Sequence, residues 1–118
     1  LGVQNDAVFG PVVMLGLGGI FVEVLRDVTF RIAPFGEEEA RRMIGELRGA
    51  AMLHGARGQP PCDIDALAAA LSKLSLFAAA KRAEFSSIDV NPLLVRPKGE
   101  GAAALDALIV TTEAASGH

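Results

Sequence analysis

The run Ser87-Ile88-Asp89-Val90-Asn91-Pro92-Leu93-Leu94-Val95, read with residues 102–110 that follow it, constrains this chain more than any other stretch. Ile88, Val90, Leu93, Leu94 and Val95 favour extended backbone, and residues two apart in a strand share a face, so Asp89 and Asn91 point the same way. Arg96-Pro97-Lys98-Gly99-Glu100-Gly101 is turn chemistry, which makes residues 84–95 and 102–110 the arms of a β-hairpin. If Val95 pairs with Ala102, the paired residue numbers sum to a constant and Asn91 falls opposite Asp106, with Cβ atoms roughly 5 Å apart. A slip of one residue would turn Asp106 to the other face.

An Asn amide oxygen facing an Asp carboxylate, with Asp89 beside them, offers hard oxygen ligands. Magnesium suits such a set, because one or two carboxylates hold it while water and substrate phosphates complete its shell. The same residues also have a plainer reading: Asn-Pro initiates turns, and an Asp in a strand faces solvent. Spacing alone leaves both open.

At 118 residues the chain is long enough for one domain with a true core. It has six Phe but no Trp or Tyr, so Leu, Val, Ile, Ala and Phe must fill that core. A net charge of −3 argues against nonspecific nucleic-acid binding, because nothing advertises a replacement for phosphate counterions. Cys62 is alone and reads as a small, half-buried residue, which suits a reducing, cytoplasmic setting. The uncharged run between Asp6 and Glu23 is shorter than the ~20 residues of a spanning helix and is broken by glycines and a proline, so no membrane segment is expected. The start at Leu1, in what looks like the inside of a strand, leads us to expect a piece of something longer.

Residues 1–25 read as strand, turn, strand, turn, strand, with Val12-Val13-Met14-Leu15 and Ile20-Phe21-Val22-Glu23-Val24-Leu25 separated by Gly16-Leu17-Gly18-Gly19. A phosphate loop should open a helix, and a strand pattern follows these glycines, so a hairpin turn is the better expectation. Glu23 is either partly buried and paired or at a cleft edge. Val28-Thr29-Phe30-Arg31-Ile32 reads as another strand, in which Arg31 is expected to face solvent, with a phosphate contact as the alternative. Glu37-Glu38-Glu39 open a helix with Ala40, Met43, Ile44 and Leu47 on its inner face, Arg48 near its end, and Gly49 as its stop. Its charges read as a solvated face. Residues 50–61 read as an irregular segment in which Arg57 is a surface connection or a binding-loop residue.

Asp63 is placed to cap a second helix running to about Lys81, with Ile64, Leu67, Ala68, Leu71, Leu74 and Ala78 inward. The fold class is therefore α+β: an antiparallel sheet of about five strands covered by two helices. Residues 1–110 form that unit and residues 111–118 a flexible tail.

Several stretches, in this order, resemble the C-terminal ATP-grasp region of ADP-forming acyl-CoA (acetyl-CoA) synthetases. They are Phe9-Gly10-Pro11-Val12-Val13-Met14, Gly16-Leu17-Gly18-Gly19-Ile20-Phe21-Val22-Glu23-Val24, Arg31-Ile32-Ala33-Pro34, Arg57-Gly58 before Pro60-Pro61, and Asp89-Val90-Asn91-Pro92-Leu93-Leu94-Val95. The related succinyl-CoA synthetase β subunits are similar in carrying Glu-Ile-Asn-Pro followed by an Asp-bearing strand, whose Asn and Asp bind the nucleotide's magnesium. By position the resemblance assigns these roles to Asn91 and Asp106, with Asp89 in place of the Glu and suited to acting through water.

The resemblance further implies an acid:CoA ligase that couples ATP, with ADP as product, to acyl-CoA formation through an acyl phosphate and a phosphohistidine. Its cofactors are Mg²⁺ and ATP/ADP, and its partners are CoA, a small carboxylic acid, the missing ATP-grasp half and the CoA-binding domains. Neither His54 nor His118 matches a family motif, so no catalytic residue is assigned, and none that contacts the nucleotide base. The chain alone is expected to bind ATP weakly and turn nothing over. The alternatives are a noncatalytic scaffold or a regulatory synthetase-like module, for example of a protein acetyltransferase.

Overall fold

The computed structural model describes residues 1–16, 27–55 and 60–112, the Met52 side chain excepted. The strand expected at residues 20–25, the glycine turn before it and residues 113–118 lie outside the described residues. In chain order the elements are β1 (Gly2–Asp6), β2 (Gly10–Gly16), β3 (Val28–Ile32), α1 (Glu37–Glu46), α2 (Ala50–Leu53), α3 (Ile64–Ala80), β4 (Phe85–Val90), β5 (Leu93–Val95), β6 (Ala102–Ala104) and β7 (Ala107–Thr111). Five strands form one antiparallel sheet in the order β3-β2-β1-β4-β7, and β5 pairs with β6 in a second, two-stranded sheet.

Alternation along the strands makes the main sheet two-faced. Val3, Val13, Leu15, Phe85 and Ile88 point inward and pack with Ala40, Met43, Ile44 and Leu47 of the α1 region and Leu67, Ala68, Leu71 and Ala78 of α3. Both predicted helices are present with the expected inner faces, and burial of these side chains is the main stabilising term, about 1.5–3 kcal/mol for each large aliphatic one. The opposite face carries Met14, Phe30, Ile32, Leu108 and Val110, all exposed. No described helix is long and apolar enough to cross a membrane.

The β1–β2 turn forms because the Asp6 carboxylate accepts the Val8 and Phe9 N–H groups at 2.7 and 2.9 Å. These same bonds hold the Asp6 carboxyl below its usual pKa. Asp63 caps α3 as expected, its carboxylate accepting Ala66 N–H at 3.1 Å. Two polar contributors to the core escape the apolar pattern. Ser72 and Ser75 are buried on α3, where Ser72 Oγ donates to the Phe35 carbonyl (2.9 Å), Ser75 Oγ accepts Phe35 N–H (3.1 Å), and the single Ser75 proton is shared between the Ser72 carbonyl (2.7 Å) and the Phe35 carbonyl (3.1 Å), tying the entrance of α1 to α3.

The structure corrects four local expectations. Residues 50–61 are not wholly irregular, because Asp27, buried before β3, accepts the Arg48 and Gly49 N–H groups, and the short helix α2 follows directly. Arg48 lies beyond α1, whose last turn contains no basic residue. Arg31 does not face solvent. It shares the helix-covered face with Thr29, as their pairing with Val13 and Leu15 shows, and from there it meets the acids of α1.

The fourth correction concerns the hairpin, whose arms are each broken. β4 ends at Val90 and β5 starts at Leu93, while β6 ends at Ala104 and β7 starts at Ala107. Pro92 has no N–H to give to a ladder, so the regular pairing lapses there. The register nevertheless passes through unchanged: Val90 faces Ala107 on one side of the break and Leu93 faces Ala104 on the other. Across the joint, Asn91 N–H donates to the Asp106 carbonyl and Leu105 N–H to the Pro92 carbonyl, both at 3.0 Å. The expected pair of Val95 with Ala102 is present as well.

Candidate metal centre

The joint between the two sheets is where the sequence placed its ligands, and the backbone there sets Asn91 opposite Asp106. Both side chains are exposed, as is Asp89 one residue before the end of β4. Most described acids have a partner. Glu39 and Glu46 bind Arg31, Glu37 and Asp65 bind Arg41, Glu84 pairs with Lys81, and Asp6, Asp27 and Asp63 accept backbone N–H groups. Asp106 has none among the described residues, a condition it shares only with Glu38 and Glu100, whereas Asp89 lies close enough to the Leu1 ammonium to interact with its charge. Nor does the Asn91 side chain hydrogen-bond to a described residue. Two opposed oxygen-bearing side chains left unsatisfied by the protein are what a hard cation with water and phosphate in its shell requires.

Asp89 stands differently. It pairs with Gly2 and Leu108 in the ladders and lies in a shallow groove of about 380 Å³ on the open face, lined also by Gln4, Met14, Phe30 and Leu108. Asn91 instead lines a cavity of about 240 Å³ on the helix side, with Leu15, Leu47, Leu67 and Cys62. Asn91 and Asp106 are thus brought together by backbone pairing, while Asp89 fronts a neighbouring hollow. Period-two reasoning put Asp89 and Asn91 on one strand; β4 ends at Val90, one residue before Asn91, although the pairing register continues through it. No group of three or more His, Cys, Asp or Glu side chains set to hold a metal occurs among the described residues.

The electrostatic anchor of the fold lies away from this joint. Arg31 Nε donates to Glu39 at 2.7 Å, and its terminal nitrogens reach both Glu46 oxygens and the Phe30 carbonyl. Glu46, which also accepts the Thr29 hydroxyl at 2.7 Å, is pushed down to about 2, first by the Arg31 hydrogen bond and then by Thr29. The guanidinium is correspondingly raised, by Glu46 first and Glu39 second. With its donors committed to α1, Arg31 is a strand-to-helix tie. Sequence reasoning missed it because nothing in residues 37–46 marks Glu39 and Glu46 as the acids that would reach it. Glu23 and Arg57 lie outside the described residues, and His54 is exposed.

A family model described as an ATP-grasp domain matches residues 1–111. The β subunit of acetate–CoA ligase [ADP-forming] II from Pyrococcus furiosus is 47% identical over 110 residues, which cover 93% of this chain and 47% of the relative. The 4-hydroxybutyrate–CoA ligase [ADP-forming] of Nitrosopumilus maritimus is 43% identical over 92% of this chain and 16% of its own length. Among solved structures, acetyl-coenzyme A synthetase 1 of Candidatus Korarchaeum cryptofilum is similar with a TM-score of 0.86 and 41% identity, over 94% of this chain and 51% of that one. That protein was captured with coenzyme A and Mg-AMPPCP, its phosphohistidine segment pointing towards the nucleotide binding site. The chain spans less than half the length of these curated relatives.

Proposed function

The chain belongs to the ATP-grasp domain family, and on that premise we propose that it is the magnesium- and nucleotide-binding part of an ADP-forming acid:CoA ligase. The observation that carries the reading is the joint, where an unbroken register opposes Asn91 to Asp106 and leaves both side chains without a described protein partner. Asn91 and Asp106 would hold the magnesium of the nucleotide, with Asp89 acting through water. Bound there, the ion would neutralise charge on the phosphate oxygens during phosphoryl transfer.

The chain's own contribution is positional. Backbone bonds fix the two ligands relative to one another, and the adjoining open face offers apolar surface from Met14, Phe30 and Leu108 beside the acid of Asp89. The relatives are more than twice as long as the matched region, which supports the reading that the remaining nucleotide contacts, the CoA site and the phosphohistidine are supplied from elsewhere and that this chain alone turns nothing over.

The test is acid- and CoA-dependent conversion of ATP in the assembled enzyme, distinguishing ADP from AMP, for wild type, Asn91→Ala and Asp106→Ala. ADP formation that collapses in both variants supports the ligase and the metal pair together. AMP formation removes the ADP-forming assignment. Full activity in either variant removes the metal pair and favours a scaffold or regulatory role.

A further inference from the structure

The tip of the hairpin that carries the joint is stitched to the start of α3 through Asp63, with Pro61 and Cys62 pairing beside it. Asp63 Oδ1 accepts Ala66 N–H and caps the helix, while Oδ2 accepts Gly99 N–H at 3.1 Å and Gly101 N–H at 2.8 Å. Asp63 N–H donates to the Arg96 carbonyl, and Lys98 N–H to the Pro61 carbonyl, at 2.8 and 2.9 Å. Gly99 and Gly101 both have positive φ (87° and 83°), so the tip has a backbone shape that directs two N–H groups onto one oxygen. From Gly101 the pairing runs without a change of register through Arg96, Val95–Ala102 and Leu93–Ala104 to the joint. Each arm of the hairpin is thereby tied at its far end, and the ligands lie between that end and the main sheet.

From this geometry we infer that Asp63 is a positioning residue: by holding Gly99 and Gly101 against the N-terminus of α3 it orders the Asn91–Asp106 joint and sets how well that joint binds its ligand. The binding part of this inference rests on the reading of Asn91 and Asp106 as the metal pair; the ordering part does not. The competing account is that Leu93 and Val95, partly buried against the core, hold the hairpin by themselves.

Two substitutions separate the capping role from the tether. Asn and Ser are about as good as Asp at capping a helix. Ser has no second oxygen to offer Gly99 and Gly101, and Asn has an NH₂ group where they need an acceptor. In the 118-residue chain, amide hydrogen exchange is followed by NMR for wild type, Asp63→Asn and Asp63→Ser, and binding is read from line broadening by the Mn²⁺ complex of ATP. The expected result is that Asn91 and Leu105 amides exchange about tenfold faster in both variants, Val3 and Val13 amides are unchanged, and the Mn²⁺–ATP affinity falls about three- to tenfold. Faster exchange at Gly99 and Gly101 with no change at Asn91 and Leu105 would overturn the inference. If Mn²⁺–ATP broadens neither Asn91 nor Asp106 in wild type, the metal reading fails, and the exchange comparison still decides whether Asp63 orders the joint.

Discussion

Ser75→Ala should cost more than its size suggests, and the reason is a count of partners. Ser75 is fully buried, and its hydroxyl is the acceptor for Phe35 N–H at 3.1 Å. The Phe35 carbonyl accepts Ser72 Oγ at 2.9 Å and has Ser75 Oγ within reach at 3.1 Å, whose one proton also faces the Ser72 carbonyl at 2.7 Å, so a donor remains for it after the loss of either hydroxyl. Removing the Ser72 hydroxyl therefore costs one ordinary hydrogen bond, about 1 kcal/mol. Removing the Ser75 hydroxyl strands a buried N–H, a penalty of about 2 kcal/mol. The double substitution also leaves the carbonyl bare, so it should exceed the sum of the singles by about 1 kcal/mol. With no Trp or Tyr in the chain, unfolding is best followed by far-ultraviolet circular dichroism in urea, where all three variants should shift the midpoint without altering the slope. If Ser75→Ala costs no more than Ser72→Ala and the pair is additive, the partner count is wrong.

Gly101→Ala should destabilise by about 1 kcal/mol because its φ of 83° is poorly suited to a side chain, although nothing stands within 4 Å of the added Cβ. Gly45→Ala, inside α1 and equally open, should stabilise by about 0.5–1 kcal/mol, and thermal melts of the two variants test the contrast. The Glu46 carboxyl is depressed in the folded state, so its contribution is fully present above the ordinary carboxylate pKa of about 4.3 and is lost as the pH falls from there to about 2. Glu46→Gln should remove part of the acid sensitivity of the urea midpoint in that window, and an unchanged acid limb would contradict the assignment. Phe85→Ala empties one of the largest fully buried sites and should cost about 4 kcal/mol, read from the same urea titration.

The inner faces of both helices, the Asp63 cap and the pairing of Val95 with Ala102 were legible because each rests on a local rule: helical spacing, a short acceptor before an apolar run, a turn between β-formers. What was not legible depended on elements far apart in sequence. Ser72 and Ser75 look solvent-facing until Phe35 is seen to be their partner, and Arg31 looks free until α1 lies across β3. The site was half legible. Register placed Asn91 with Asp106, but the same reasoning ran one strand through Pro92, where the structure has two. A proline visible in the sequence carried that information, and the appeal of strand-forming residues on both sides outweighed it.

The constancy of pairing along the hairpin also limits how such a chain can change in length. The one shift in register lies between Phe85 and Ser87, at the end away from the joint, and everything from Ser87 to Val95 is in step with its partner. A residue inserted in either arm between the joint and the tip would put Asn91 out of step with Asp106, unless a second insertion in the other arm restored it. Residues added at the tip beyond Arg96 and Gly101 would shift no pair within the two arms. Related chains should therefore vary in length at the tip or by matched insertions in the two arms, and a loop exchange at the tip should keep the register of Asn91 with Asp106 but loosen the joint unless it preserves the two N–H groups that meet Asp63.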